Sequence, residues 1–79
     1  MVEAKELLEL LAKALVDAPD RVEVTEVEEP DELVLELRVA QDDVGKIIGK
    51  QGRTVRALRT LIDAAGEKFD RHYAVEVIE

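Results

Sequence analysis

The chain has 79 residues and 47% apolar content, which predict one small globular domain, because a chain of this length cannot enclose two cores. It has no cysteine and one histidine, which exclude disulfide bonds and Cys-based zinc sites and argue against any metal or other cofactor. Taken at face value, the formal net charge of -8 argues against nucleic-acid binding, because phosphate repels acidic side chains. The sequence shows neither a signal peptide nor an apolar run long enough to span a membrane, so we expect a cytoplasmic protein.

The charges are strongly segregated along the chain. Residues 44–59 contain five bases and no acid, so this window carries +5 while the rest of the chain carries -13. Such segregation is typical of a surface that binds an anion, although a solvated basic helix face would give the same count. The five bases of this basic window are Lys46, Lys50, Arg53, Arg56 and Arg59.

The first half of the chain predicts a helix followed by a β-hairpin. Leucines recur at helical spacing over residues 4–16, and Pro19 ends that helix. Apolar residues then alternate over residues 21–28 and 33–39, with a turn between them that contains Pro30. Leu10 and Val16 fall off the main apolar stripe, so the helix offers surplus apolar surface.

The second half predicts two helices and a final strand. Asp42 and Asp43 are N-cap candidates for a short helix through Ile48, and a longer helix follows over residues 53–68. Its expected apolar face comprises Val55, Leu58, Leu61, Ile62, Ala65 and Phe69, and the last strand places Tyr73, Val75 and Val77 on one face. We therefore predict an α+β fold in the order α-β-β-α-α-β. It should contain a three-stranded mixed sheet with three helices on one face, closed by a right-handed crossover.

Gly49-Lys50-Gln51-Gly52 separates the two helices. Glycine permits positive φ and close backbone approach, and the amides that begin the second helix suit a phosphate oxygen. Asp63 lies one turn beyond Arg59 and could pair with it, which makes Arg59 the weakest candidate for anion contact. The alternative is a plain helix-turn-helix corner in which both glycines serve only the turn.

The stretch from Val44 to Val55, VGKIIGKQGRTV, resembles the signature of a KH domain, I-I-G-x-x-G-x-x-V between two helices. The helix-first order is similar to the type II arrangement, and the whole chain resembles the small stand-alone bacterial KH proteins of the KhpA type. On this resemblance we expect residues 1–79 to form a single KH domain with nothing appended.

The resemblance implies binding of single-stranded RNA, whose backbone the GXXG turn clamps over about four nucleotides. The bases would lie in an adjacent apolar groove, with Val44, Ile47, Ile48 and the strand around residues 35–39 as wall candidates; for Ile47 and Leu37 a core role is favoured. The RNA-binding residues that it implies are Lys46, Ile48, Gly49, Lys50, Gln51, Gly52, Arg53 and Arg56.

The resemblance further implies a post-transcriptional regulator or RNA chaperone that acts as a homodimer or with a Jag-type KH protein. We predict no enzymatic activity, because the chain lacks serine and its one histidine, His72, is far from Thr54 in sequence. Two alternatives stay open: a protein-interaction module with a residual KH fold, and a helix-turn-helix DNA binder. We also hypothesise that the acidic remainder confines RNA to residues 44–59.

Overall fold

The computed structural model describes residues 3–68 and 70–79. Three α-helices and three β-strands follow one another in the predicted order. Their bounds are α1 Ala4–Leu15, β1 Glu23–Glu28, β2 Leu33–Arg38, α2 Val44–Ile48, α3 Arg53–Lys68 and β3 Tyr73–Val77.

The three strands form one mixed sheet in the order β1-β2-β3. β1 and β2 pair antiparallel as a hairpin, with Val24 opposite Leu37. β2 and β3 pair parallel, with Leu35 opposite Val75, so α2 and α3 together make the crossover between them. The predicted α+β architecture and its mixed sheet are therefore confirmed, and β2 is the central strand.

The core lies between the inner face of the sheet and the helices. Leu35 and Leu37 of the central strand are fully buried there, as are Leu8 of α1, Ile47 of α2 and Ile62 of α3. Each helix thus contributes at least one completely buried aliphatic side chain to a single cluster. Burial of this kind supplies most of the stability of a small domain, at about 1.5–3 kcal/mol for each side chain.

Two details of the predicted elements need correction. The first strand begins at Glu23 instead of residue 21, because residues 19–21 form a short 3-10 turn. Leu61 does not share the buried face of α3 and is 49% exposed, because helical rotation places it on the side of Leu58 away from Ile62. Val34 is buried although it lies on the face opposite the helices. The prediction for Phe69 falls outside the described residues.

Gly66 allows the end of α3 to approach the chain that returns into β3. The Arg71 amide donates to the Gly66 carbonyl at 2.8 Å. A Cβ atom at Gly66 would overlap the Arg71 carbonyl and lie 2.7 Å from Cδ2 of Tyr73. A side chain at this position would push the last turn of α3 away from the sheet.

Gly66→Ala is expected to destabilise the protein even though alanine is the better helix former. The propensity gain of about 1 kcal/mol is smaller than the cost of overpacking, about 1–3 kcal/mol. Gly45→Ala is the matched control, because a Cβ there meets nothing within 4 Å and the helix should gain about 0.5–1 kcal/mol. Urea unfolding of both variants measures the difference, and a Gly66→Ala protein as stable as Gly45→Ala would contradict the close approach.

Candidate nucleic-acid interface

The turn between α2 and α3 has a backbone conformation that requires glycine. Gly49 has φ 75° and ψ 170°, a region that essentially only glycine occupies, and Gly52 has φ 72°. Gln51 between them is left-handed at φ 57°. A Cβ atom at Gly49 would overlap the side chain of Thr54, whose Cβ would lie 2.7 Å away. The predicted tight reversal with positive φ at both glycines is present.

The turn satisfies part of its own backbone. The Gly52 amide donates to the Gly49 carbonyl at 3.1 Å, and the Arg53 amide donates to the Lys50 carbonyl. These two amides were among those expected to face a phosphate at the start of α3. Because both are used inside the turn, a phosphate there depends more on the basic side chains than the sequence indicated.

The first turn of α3 carries bases where a helix ordinarily favours acids. Arg53 and Arg56 occupy it, and it contains no acidic residue. Cations at a helix N-terminus oppose the helix dipole and cost a few tenths of a kcal/mol each. Arg53 donates from Nη2 to Oε1 of Gln51 at 3.3 Å. This arrangement concentrates positive charge beside the turn at some expense to the helix, as a binding site for an anion would.

Lys50 extends from the middle of the turn and is exposed. None of the salt bridges between described residues includes Lys50, Arg53, Arg56 or Arg59. The predicted pair of Arg59 with Asp63 is therefore not among them. Arg59 instead donates from Nε to the carbonyl of Val75 on β3 at 3.3 Å.

Lys46 differs from the other bases of the basic window, because two carboxylates lie beside it. Its Nζ is 3.2 Å from Oδ2 of Asp17 and 3.8 Å from Oδ1 of Asp43. The hydrogen bond to Asp17 and the charge of that carboxylate raise the pKa of Lys46 above its ordinary value. Part of the positive charge predicted for RNA at this position is therefore balanced within the protein.

Asp43 is buried, and its carboxylate joins two segments. Its two oxygens accept hydrogen bonds from the backbone amides of Asp17 at 3.2 Å and Ala18 at 3.1 Å, just after α1 ends. Asp43 occupies the predicted N-cap position of α2, but its side chain makes no capping hydrogen bond there. The carboxylate holds the end of α1 against the start of α2 instead of capping its own helix.

The apolar groove candidates separate into core and surface. Ile47 is fully buried in the core, as favoured from the sequence, whereas Ile48 and Val44 are half-buried beside the turn and at the start of α2. In the candidate wall at residues 35–39, Leu35 and Leu37 are fully buried in the core, as favoured for Leu37 from the sequence, so neither offers surface to a base. Within that segment Val39 does line a surface cleft, together with Arg21, Gln41, Val44, Ile78 and Glu79.

Two further side chains with polar groups, His72 and Tyr73, lie at the start of β3. His72 is exposed, with Nε2 3.9 Å from Oε2 of Glu32, and Tyr73 is half-buried against the core. Within residues 3–68 and 70–79, no group of acidic or histidine side chains has the geometry to hold a metal ion. No helix in those ranges is long and apolar enough to cross a membrane.

A family model described as "KhpA/KhpB, KH domain" matches residues 5–77. The chain belongs to the KhpA/KhpB family of KH domains. It is 53% identical over 74 residues to a protein of Clostridium acetobutylicum named RNA-binding protein KhpA, covering 94% of this chain and 99% of that one. The protein of the same name from Aquifex aeolicus is 49% identical over 75 residues, 95% of each chain.

Solved structures of Era show the same fold at lower identity. The chain superposes with a TM-score of 0.68 and 23% identity on Era in complex with a segment of 16S ribosomal RNA, covering 94% of this chain and 28% of that one. A variant of Aquifex aeolicus Era gives a TM-score of 0.66 at 22% identity, with 29% of its length covered. The KhpA/KhpB unit thus corresponds to less than a third of the Era chain.

Asp43→Ala is expected to lower the free energy of unfolding by about 2 kcal/mol, because two partly buried amides lose their acceptor. Asp42→Ala is the control; its side chain is exposed and the change should stay within about 0.5 kcal/mol. Chemical unfolding followed by circular dichroism measures both. Equal stability of the two variants would show that the Asp43 carboxylate does not join the segments.

Proposed function

We propose that this protein binds single-stranded RNA through the turn from Gly49 to Gly52. The observation that carries the proposal is the positive-φ glycine turn, flanked by exposed bases that belong to no salt bridge between described residues, in a member of the KhpA/KhpB family. The relatives named RNA-binding protein KhpA, at 53% and 49% identity, support the same conclusion. We further propose that the protein acts in the cytoplasm as a post-transcriptional regulator or RNA chaperone and catalyses no reaction.

The proposed contacts divide by chemistry. Lys50 and Arg53 neutralise phosphates at the turn, whose glycines let the RNA backbone approach closely. Gln51 supplies backbone and amide contacts, and Ile48 with Val44 offers apolar surface to a base. Lys46 contributes less than its charge indicates, because Asp17 and Asp43 already balance it. The groove has no aromatic platform among these residues, so bases are read by hydrogen bonds and van der Waals contact.

Replacing Lys50 and Gln51 together with aspartate is expected to reduce affinity for a single-stranded RNA oligonucleotide at least tenfold. Aspartate tolerates the left-handed conformation at position 51, so the circular dichroism spectrum should not change. Lys13→Asp with Ala14→Asp is the matched control, since it changes the net charge equally at two exposed positions of α1. Fluorescence anisotropy measures all three proteins.

The salt dependence gives a second readout on the unmodified protein. If about three phosphates are neutralised, the log–log slope of the association constant against salt should be near -2 for a single strand. Retained binding by the Lys50/Gln51 double variant would overturn the proposal. A stronger preference for duplex DNA than for single-stranded RNA would favour the helix-turn-helix alternative instead.

A protein partner is the second candidate function, and exposed leucines on two helices favour it. Leu10 is 64% exposed and Leu15 41% exposed on α1, and Leu61 is 49% exposed on α3. Exposed leucines that are scattered singly are ordinary on a monomer, so we assign the contact with a second copy of the chain or a Jag-type KH protein to Leu61 on the helical layer. A short RNA contact binds weakly, and pairing two domains would raise overall affinity by linking two such contacts.

Leu61→Glu is expected to shift the protein from dimer to monomer in sedimentation velocity at micromolar concentration, because burying a carboxylate in an apolar contact is unfavourable. Thr25→Glu is the control, as Thr25 is exposed on the sheet face opposite the helices. A wild-type protein that sediments as a monomer at all concentrations would exclude the homodimer and leave a different KH protein as the partner.

A further inference from the structure

Arg56 is hydrogen-bonded to the turn and not directed away from it. Its Nη2 donates to the carbonyl of Gln51 at 2.8 Å, and its Nε donates to the carbonyl of Gly52 at 3.3 Å. Side chains of a helix lean toward its N-terminus, which brings this guanidinium back over the residues that precede α3. One planar group therefore contacts two successive carbonyl oxygens of the turn.

These two carbonyls belong to residues that both have positive φ. Gln51 is a non-glycine residue at φ 57°, and Gly52 follows at φ 72°. A left-handed conformation is unfavourable for a non-glycine residue and persists only where its surroundings hold it in place. Two charge-assisted hydrogen bonds to this peptide pair provide such a restraint.

The same contacts change the electrostatics that a phosphate would meet. Carbonyl oxygens carry partial negative charge and repel an anion, whereas amides and bases attract it. Arg56 covers the oxygens of Gln51 and Gly52 with a cation, so they cannot turn toward a bound phosphate without breaking both bonds. Its Nε–Nη2 edge, one of the two edges through which a guanidinium can grip a phosphate with two parallel hydrogen bonds, is already engaged.

We propose that Arg56 is a positioning residue, which fixes the Gln51–Gly52 carbonyls away from the RNA and contributes to affinity through the turn instead of by a direct phosphate contact. This inference rests on the proposed RNA binding and deepens it. It reassigns a residue for which the sequence indicated phosphate neutralisation, and it leaves that role to Lys50 and Arg53.

The two roles predict different results for Arg56→Lys in the protein without RNA, because only a positioning role makes the turn more mobile. Lysine keeps the positive charge but presents one compact donor group on a flexible stem, so it cannot reproduce the planar two-point contact. If Arg56 positions the turn, affinity for single-stranded RNA should fall threefold or more while the log–log salt slope stays that of the wild type. The amide ¹⁵N relaxation of Lys50, Gln51 and Gly52 should show increased mobility, while the far-UV circular dichroism spectrum stays that of the wild type.

The control is Arg38→Lys, at an exposed arginine on the outer sheet face beside Glu36, where affinity should not change. An Arg56→Lys protein that binds within threefold of the wild type would overturn the positioning role, as would rigid turn amides in that variant. Failure of the proposed function itself looks different, because then the wild type does not bind RNA at all. In that case the relaxation measurement on the free protein still tests whether Arg56 positions the turn.

Discussion

A buried carboxylate cannot remain without partners in a small core, and Asp43 obtains them from a distant part of the chain. It accepts the amides of Asp17 and Ala18 and lies within 3.8 Å of Lys46 Nζ. The crossover from β2 to β3 begins at this point, so the carboxylate fixes where α2 starts relative to the end of α1. The same connection positions the turn from Gly49 to Gly52 and the N-terminus of α3, which follow α2 along the chain.

The turn itself depends on a second set of contacts. Thr54 fills the space that a side chain at Gly49 would need, and Arg56 covers the carbonyls of Gln51 and Gly52. A loop made of glycine and polar residues is ordinarily mobile, but here each strained peptide is held by a neighbour on α3. The backbone that RNA is proposed to meet is therefore preorganised, which reduces the entropy that binding must cost.

The order of elements and the fold followed from the sequence, because apolar spacing of two and of three to four residues differs clearly between the hairpin and the long helices. The tight turn at Gly49 and Gly52 could also be predicted from the sequence, because two glycines at this spacing between two helices leave few other conformations. The groove wall proposed at residues 35–39 could not be predicted in the same way. Alternating apolar and polar residues show which side chains share a face of a strand, but not whether the strand is central or at an edge. Leu61 was misplaced for a related reason, since the apolar stripe of α3 is wider than the surface that the sheet covers.

What the sequence by itself determined was the fold, the position of the glycine turn and the concentration of bases around it, all of which depend on residues near one another along the chain. What only the tertiary structure decided was how those bases are used. Asp17 and Lys46 are far apart in sequence, yet they form an ion pair at 3.2 Å, so a window charge of +5 overstates what an anion meets. A count along the chain cannot include a carboxylate that folding brings in from a distant segment, here the one that follows α1, because charges interact through space.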